Sequence, residues 1–482
     1  MKKQWTRAML AISVSASLLG CTASQAASSA ASAEETTETA AETETITTSD
    51  TSVPTAESIS ISETLENTAD GEHVISESGT TGEYYNVKIV KSGEADGDEA
   101  DFYGENSAVY AENSASLTIS DAVIETNGTH ANAVFSYGEG TKVTVKNSVI
   151  TTSGNCSGGL MTTGGGTMIA ENLNVHTTGN SSAAIRSDRG GGTVTVTGGS
   201  YTAEGKGSPA IYSTADITVN DAKLISTSAQ GVVVEGQNSV TLNNVTLQAD
   251  NNSKNSDKSD TYQAVMIYQS MSGDADEGLA SFTMNGGTLT NVNGDIFFVT
   301  NTVAEINLNG ASIVNEDADG IFLRAEAAGW GTDGSNGGQV TLTASAQEID
   351  GDMIVDDVSS LNLILTNGSV FTGTINSDGE AGEVYVELSD GAKWVLTGDA
   401  YITSLTCDAD SIDLNGYTLY VNGVAYTEGQ ASTGTAIEAV YSSAGGQGGM
   451  PDGQPPEMPG GENGEPPAKP DGENGEPPAK PE

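Results

Sequence analysis

An apolar–threonine–apolar triplet recurs along the middle of the chain. This alternation is what a β-strand with one buried face requires, because successive side chains point to opposite faces. Most neighbouring triplets begin about 23–26 residues apart, and two wider gaps fit insertions at 250–262 and 325–338. The series includes Leu117-Thr118-Ile119, Val143-Thr144-Val145, Val194-Thr195-Val196, Ile217-Thr218-Val219, Val240-Thr241-Leu242, Phe282-Thr283-Met284, Val340-Thr341-Leu342 and Ile412-Asp413-Leu414.

Each triplet belongs to a larger repeat of three short strands. A second apolar run follows the triplet, as in Val123-Ile124, and a third precedes it, as in Ala133-Val134. Three strands per repeat of about 24 residues predict an all-β parallel β-helix of about twelve coils. The coils should run from about residue 107 to 426, within a domain spanning 81–440. A β-propeller is the alternative, but each of its blades needs about 40 residues or more.

Residues that tolerate a left-handed backbone follow most triplets. We expect them to turn the corner between the first two strands of each coil. They are Asp121, Asn147, Asn172, Gly198, Asn220, Asn243, Asn285, Asn309, Asn367 and Asn415.

The first 21 residues have the pattern of an export signal. Lys2, Lys3 and Arg7 precede a short apolar run that ends in Leu18-Leu19-Gly20-Cys21. This ending resembles a bacterial lipobox, which predicts lipidation of Cys21 and anchoring to a membrane. Ser24-Gln25-Ala26 offers the alternative of ordinary signal-peptidase cleavage and secretion. Both interpretations place the protein outside the cytoplasm, and the lipobox favours the cell surface.

The segments that flank the predicted coils are compositionally biased. Residues 22–80 are rich in Ser, Thr, Ala and Glu and should form a disordered stalk, because they cannot bury enough apolar surface to offset chain entropy. Residues 441–482 contain two copies of GENGEPPAKP and predict an extended, disordered Pro/Gly-rich tail.

Charge narrows the range of partners. The chain has 66 Asp and Glu against 17 Lys and Arg, a formal net charge of −49, which argues against nucleic acid as a partner. With three His and three Cys, a zinc site or a thiol mechanism is not expected. The repeat separates Cys156 and Cys407 by about ten coils, too far for the ~4.4–6.8 Å Cα separation of a disulfide.

The late coils resemble a known class of protein. The segments 391–399 (GAKWVLTGD) and 402–405 (ITSL) are similar to the late coils of autotransporter adhesin passengers, and the repeat resembles the right-handed β-helix of pectin-lyase-like proteins. With its lipobox, its Pro-rich tail and no translocating-barrel pattern, the sequence more closely resembles bacterial adhesin-like surface lipoproteins. The resemblance implies a right-handed helix, surface display and binding of a ligand.

Catalysis is the alternative function. Pectin-lyase-like enzymes cleave polysaccharides, and a polysaccharide lyase or hydrolase needs converging carboxylates and a base. The resemblance to polygalacturonases does not extend to their Gly-His-Gly and Arg-x-Lys motifs, which are missing from this sequence. We therefore expect a protein that binds a glycan or protein ligand without cleaving it, as a monomer.

One outward position of the strand before each triplet is rich in aromatic and charged residues. Aligned across coils, it reads Tyr110, Phe135, Met161, Arg186, Tyr212, Glu235, Tyr268, Thr300, Arg324 and Asp356, and we expect these side chains to be exposed. Rings and paired charges on a flat face suit a glycan or a protein epitope. The predicted ligand-binding residues are Tyr110, Phe135, Tyr137, Arg186, Asp188, Arg189, Tyr212, Tyr268, Arg324 and Asp356.

Acidic loops suggest calcium as the one cofactor to test. Asp274, Asp276 and Glu277 lie in one loop, and Asp317 and Asp319 lie in another. Carboxylates at alternate positions supply the oxygen ligands that calcium prefers. Solvated loops without a metal are the alternative interpretation.

Overall fold

The computed structural model describes residues 52–254, 256–379 and 382–439. The predicted signal peptide with Cys21, the first part of the predicted stalk and the predicted tail at 441–482 lie outside the described residues. Within these ranges no helix has the length and apolar composition needed to cross a membrane. The two helices found there are the 3-10 turn η1 (Ala56–Ser58) and the short α1 (Asp98–Phe102).

Nearly all the other elements are short strands. The strands that precede the insertion at 250–262 are β1 Glu63–Asn67, β2 Ile75–Ser78, β3 Thr81–Tyr85, β4 Val87–Lys91, β5 Val109–Glu112, β6 Ser116–Ser120, β7 Val123–Thr126, β8 Val134–Tyr137, β9 Lys142–Lys146, β10 Val149–Thr152, β11 Leu160–Thr163, β12 Gly166–Thr177, β13 Ile185–Ser187, β14 Gly192–Ala203, β15 Ile211–Ser213, β16 Asp216–Asn220, β17 Lys223–Ser226, β18 Val232–Glu235, β19 Ser239–Asn243 and β20 Thr246–Ala249.

The strands that follow this insertion continue the same order. They are β21 Gln263–Tyr268, β22 Leu279–Asn285, β23 Thr288–Asn291, β24 Asp295–Thr300, β25 Thr302–Asn309, β26 Ser312–Asn315, β27 Leu323–Ala325, β28 Gly338–Ser345, β29 Glu348–Asp350, β30 Met353–Val355, β31 Ser360–Thr366, β32 Val370–Thr372, β33 Glu383–Leu388, β34 Lys393–Val395, β35 Ala400–Ile402, β36 Ser404–Cys407, β37 Ile412–Asp413, β38 Leu419–Val421 and β39 Val424–Ala425.

Apart from the antiparallel pair β38–β39, the named strands stack in parallel, which confirms the predicted parallel β-helix. The first sheet has 21 strands, the second has 11, and two smaller sheets have four and three. Every strand of the second sheet belongs to a successive coil, from β2 to β30. In the first sheet β3 pairs with β6. After residue 107, where the coils were predicted to begin, twelve coils each contribute one strand to a continuous parallel stack in this sheet: β6, β9, β12, β14, β16, β19, β22, β25, β28, β31, β33 and β36.

The core lies inside the coils, where the apolar residues of each triplet stack on those of the next. Leu117 pairs with Val143, and Val194 pairs with Ile217, in the predicted register. Two members of the series do not keep that register: Val340 pairs with Ala304, two residues before the Ile306 that pairs with Phe282, and Ile412 joins a smaller sheet. Both triplets follow an irregular segment, so counting residues along the sequence could not set their register.

Asparagines and residues with a left-handed backbone conformation lie at the turns between the strands of each coil. Asp121, Asn147, Asn172, Gly198, Asn367 and Asn415 have positive φ, as predicted. At Asn220, Asn243, Asn285 and Asn309 the prediction was wrong by one residue, because the next residue takes positive φ instead. These asparagines form a ladder: Asn243 Nδ2 donates to Asn220, Asn285 to Asn243 and Asn309 to Asn285, at 2.7–2.8 Å.

The predicted stalk is wrong from about residue 53 onwards. Pro54 is buried, and its carbonyl accepts a 3.0 Å hydrogen bond from Asn174 Nδ2. β1 pairs with β4, and β2 pairs with β5, so this stretch forms part of the solenoid. Its strands are short and polar at most positions, which hides the apolar positions Leu65 and Ile75 in the composition. Cys156 and Cys407 are both free thiols.

Candidate functional site

The second sheet carries the predicted aromatic and charged column on its outer face. Pairing places Tyr110, Phe135, Met161, Arg186 and Tyr212 in register, as predicted. Beyond Tyr212 the column continues through Val233, Met266, Phe298, Arg324 and Ile354. The prediction was therefore right at Arg324 and wrong by two residues at Glu235, Tyr268, Thr300 and Asp356. Glu235, Tyr268 and Thr300 form the adjacent outward column.

The expectation that this column is exposed was also wrong. Phe135 and Met161 have no exposed surface and Tyr110 is 8% exposed. Insertions between the strands fold over the outer face and cover it. We call them the lid (94–104), the long loop (251–254 and 256–262), the acidic loop (269–278) and the tryptophan loop (326–337).

The lid covers the first part of the face. Thr163 Oγ1 donates to the Phe102 carbonyl at 2.8 Å, and the Tyr103 and Tyr137 rings meet edge to face at 5.7 Å. Gly104 has φ +79°, and a Cβ built on it would lie 2.7 Å from the Phe135 ring. Only glycine allows the lid to approach Phe135 this closely. On the side of the column away from Phe135, Tyr110 stacks on His73 at 4.4 Å.

Arg189 connects the lid to the acidic loop. Its guanidinium lies 3.5 Å from the centre of the Phe102 ring, and its Nε donates to Asp274 at 2.9 Å. A weaker contact of 3.4 Å reaches Asp98 on the lid. Arg189, predicted to bind a ligand, thus bridges two insertions of this chain.

Arg186 and Asp188 form an ion pair beneath the insertions. Arg186 donates to Asp188 at 2.7 Å, and only 3% of the Asp188 side chain is exposed. Burial raises the pKa of the Asp188 carboxyl despite the adjacent guanidinium. With little solvent access, this pair is part of the support for the face.

Glu235 is the centre of a second buried polar cluster. It accepts hydrogen bonds from the hydroxyls of Tyr212 and Ser270, and from Tyr268 at 3.0 Å. Burial raises the pKa of Glu235, although these hydrogen bonds favour its charged form. The cluster fixes the two tyrosines that we predicted to bind a ligand.

Beside these tyrosines lies a cavity of about 320 Å³, which we call the groove. Its floor is formed by Val233 and Met266 of the outward column, and Tyr212 and Tyr268 also line it. Its walls come from the long loop, with Lys254, Lys258 and Tyr262, and from Trp330 of the tryptophan loop.

The two walls of the groove contact each other. Gly329 N donates to the Lys258 carbonyl at 2.7 Å, and Lys258 Nζ lies 5.7 Å from the Trp330 ring. Trp330 also meets Tyr268 edge to face at 5.2 Å and packs against the cluster of Val233, Met266 and Phe298. The groove is therefore built by two insertions that fold onto one sheet face.

Arg324 and Asp356 support the far side of this face. Arg324 Nε donates to Asp295 at 2.6 Å and contacts Glu326 at 3.4 Å. Asp356 accepts a 2.8 Å hydrogen bond from the backbone of Ala327, at the start of the tryptophan loop. Neither residue lines the groove, and both position the elements around it.

The predicted calcium ligands make contacts within their own region. Asp274 pairs with Arg189, and Asp276 accepts a 3.4 Å contact from Gln237. Asp317 accepts hydrogen bonds from the backbone of Gly294 at 2.7 Å and of Asp319 at 3.0 Å. Glu277 lines a shallow cavity next to the acidic loop. Calcium binding by these residues stays a prediction.

The structure brings together three residues that the sequence did not connect. A carboxylate oxygen of Asp101, a ring nitrogen of His130 and the sulfur of Cys156 all lie within 4.8 Å of one another. Burial and the nearby charge of Asp101 raise the pKa of the Cys156 thiol. Burial alone would raise the pKa of Asp101, but the His130 ring and two arginines lower it overall.

Sequence reasoning missed Trp330, the two lysines of the long loop and the Asp101–His130–Cys156 cluster. The signal for the groove was available, because the repeat is interrupted at 250–262 and 325–338, where both groove walls lie. No protein-family model matches the chain, and no curated protein or solved structure is significantly similar to it. The site must therefore be interpreted from its own chemistry.

Proposed function

We propose that this chain is an adhesin-like binding protein that recognises a glycan in the groove. The observation that supports this is the juxtaposition of Tyr212, Tyr268 and Trp330 around an open cavity. Aromatic faces suit the apolar faces of sugar rings, and the lysine and glutamine side chains nearby supply hydrogen bonds to hydroxyls. We favour a glycan over a flat protein epitope as the ligand because the site is concave.

The lysines define the kind of glycan. The chain has only 17 Lys and Arg, yet Lys254 and Lys258 both line the groove. Lys258 has no salt bridge among the described residues, whereas Lys254 pairs with Asp260 at 2.9 Å. A local positive charge in a strongly acidic protein favours a glycan that carries a carboxylate or sulfate.

Binding rather than cleavage is proposed because of the residues around the cavity. Glycoside hydrolysis requires two carboxylates that flank the scissile bond. Among the described residues that line the groove, none is an aspartate or a glutamate. Glu235, which lies beneath Tyr212 and Tyr268, is buried and already accepts three hydrogen bonds. Asp260 of the long loop pairs with Lys254.

A glycan array followed by calorimetry on the full chain tests this proposal. We expect Trp330→Ala to weaken binding to the best glycan by at least about tenfold, since a central aromatic in an interface contributes about 2 kcal/mol or more. Tyr417→Ala removes an exposed aromatic remote from the groove in sequence and should change nothing. The proposal is wrong if no glycan binds, or if both variants bind equally well.

We further propose that the protein is exported and held at the cell surface through lipidated Cys21. The lipobox-like sequence Leu18-Leu19-Gly20-Cys21 supports this. In cells, Cys21→Ala should move the protein from the membrane fraction to the soluble fraction. An unchanged distribution would favour cleavage after Ala26 and secretion.

A further inference from the structure

The Asp101–His130–Cys156 cluster is created by stacking of equivalent turn positions. His130 and Cys156 occupy the same position in adjacent coils, with φ of +54° and +53°. The backbone N–H of His130 donates to Asn155 at 3.0 Å, and that of Cys156 donates to Asn180 at 2.8 Å. Ser181, with φ +54°, holds this position in the next coil. The repeat therefore aligns an imidazole and a thiol on neighbouring rungs.

The third member comes from the lid. Asp101 lies in α1, and its Oδ1 is 2.9 Å from Nδ1 of His130. Asp96, also on the lid, places an oxygen 3.8 Å from Nε2 of the same ring. The lid thus approaches both nitrogens of His130 with carboxylates.

The buried imidazole is not satisfied by these contacts. His130 is 5% exposed, and its Nδ1 has no hydrogen-bond partner among the described residues, since the Asp101 oxygen is close but poorly aligned. A buried polar atom without a partner normally has a structural or functional reason. Here the nitrogen, a carboxylate and a sulfur face one another, which is the donor set of a transition-metal site.

We propose that Asp101, His130 and Cys156 bind a Zn²⁺ ion, which fastens the lid to the coils. Zinc accepts sulfur, imidazole nitrogen and carboxylate oxygen together, whereas calcium and magnesium prefer oxygen alone. In a tetrahedral site these ligand atoms lie about 3.4–3.6 Å apart. Asp101 Oδ1 and His130 Nδ1, now at 2.9 Å, would separate slightly on binding, and the sulfur, within 4.8 Å of both, would approach by up to about 1.2 Å. Three protein ligands leave a fourth position for water, and Asp96 can orient the ring from its other nitrogen.

Cobalt spectroscopy on the full chain tests the proposal, because Co²⁺ bound to a thiolate gives a charge-transfer band that carboxylate sites do not give. We expect one equivalent of Co²⁺ to produce this band and Zn²⁺ to displace it. Cys156→Ser and His130→Asn should each abolish the band. Cys407→Ser and His176→Gln are the matched controls and should retain it.

These variants should fold, so a negative result is interpretable. Ser181 shows that serine fits the turn position of Cys156, and asparagine tolerates positive φ at position 130. Their melting temperatures in chelator should match that of the parent chain. Zn²⁺ should raise the melting temperature of the parent only, and should slow alkylation of Cys156 at least tenfold. Absence of the band, or a band that survives Cys156→Ser, would overturn the proposal.

Discussion

The outer faces of the two large sheets have the same strand alternation and opposite environments. On the first sheet the outward column is a regular run of threonines such as Thr118, Thr144 and Thr218, all partly exposed. On the second sheet it is a mixture of rings, arginines and methionines, most of them buried. Along its early coils the first face is uncovered and repeats, and the segment 434–437 crosses its last coils at Asn362, Ser404 and Thr406. Four insertions cover the second face.

The difference shows where specific chemistry can arise in a solenoid. A repeat places equivalent residues in equivalent environments, so a uniform column favours stability and little else. Once an insertion covers a face, each rung has its own neighbours, and residues such as Glu235 and Arg186 acquire individual partners. The groove and the Asp101–His130–Cys156 cluster both lie where an insertion meets the second sheet.

The largest effect that tests this comparison is expected at Phe135. Phe135→Ala should lower the free energy of unfolding by about 3–5 kcal/mol, because it empties a fully buried position between the sheet and the lid. Thr144→Ala, in the same coil on the uncovered face, should change it by no more than about 0.5 kcal/mol. Denaturant unfolding measures both. Equal losses would mean that the two faces do not differ energetically.

The regular part of the molecule could be predicted because its contacts are periodic in sequence. Leu117 and Val143 meet because they occupy the same place in successive repeats. The insertions follow no period: Arg189 reaches Asp274, 85 residues away, and Thr163 reaches Phe102, 61 residues away. Such contacts depend on how loops pack in three dimensions. The interruptions of the repeat mark where the groove walls lie, but the way the walls meet, the covered face and the buried state of Phe135 could not be read from the repeat.

Breaking an ion pair on each face should give a difference in unfolding free energy nearly as large as that between Phe135→Ala and Thr144→Ala. Arg186→Met leaves the Asp188 carboxylate buried without its partner, which should cost about 3–5 kcal/mol of unfolding free energy. Lys146 pairs with Glu171 on the first sheet at 2.9 Å, with both side chains well solvated. Lys146→Met should therefore cost about 0–1 kcal/mol. The same denaturation assay distinguishes them, and a small loss for Arg186→Met would show that water reaches the pair.

Titration of Glu235 should change the free energy of unfolding as the pH is varied. Because burial raises its folded pKa above the value of about 4.3 in an unfolded chain, the stability it contributes is present below that pH and is lost as pH rises through the folded pKa. Glu235→Gln keeps an acceptor for Tyr268 and removes this titration. Relative to the variant, the parent chain should lose stability between about pH 4 and the folded pKa. Parallel stability profiles of the two proteins would contradict the assignment.

The smallest effect is expected where the repeat itself supplies the contacts. Asn243 donates to Asn220 and accepts from Asn285, whereas Asn309 donates to Asn285 from the end of the same ladder. A hydrogen bond at a partly exposed position makes a modest net contribution to the free energy of unfolding. Asn243→Ala should therefore lower that free energy by about 1 kcal/mol, and Asn309→Ala by about half of that. Neither change should alter ligand binding in the groove. A cost at Asn243 as large as that at Phe135 would mean that the turn ladder, and not the covered face, holds the individually important contacts.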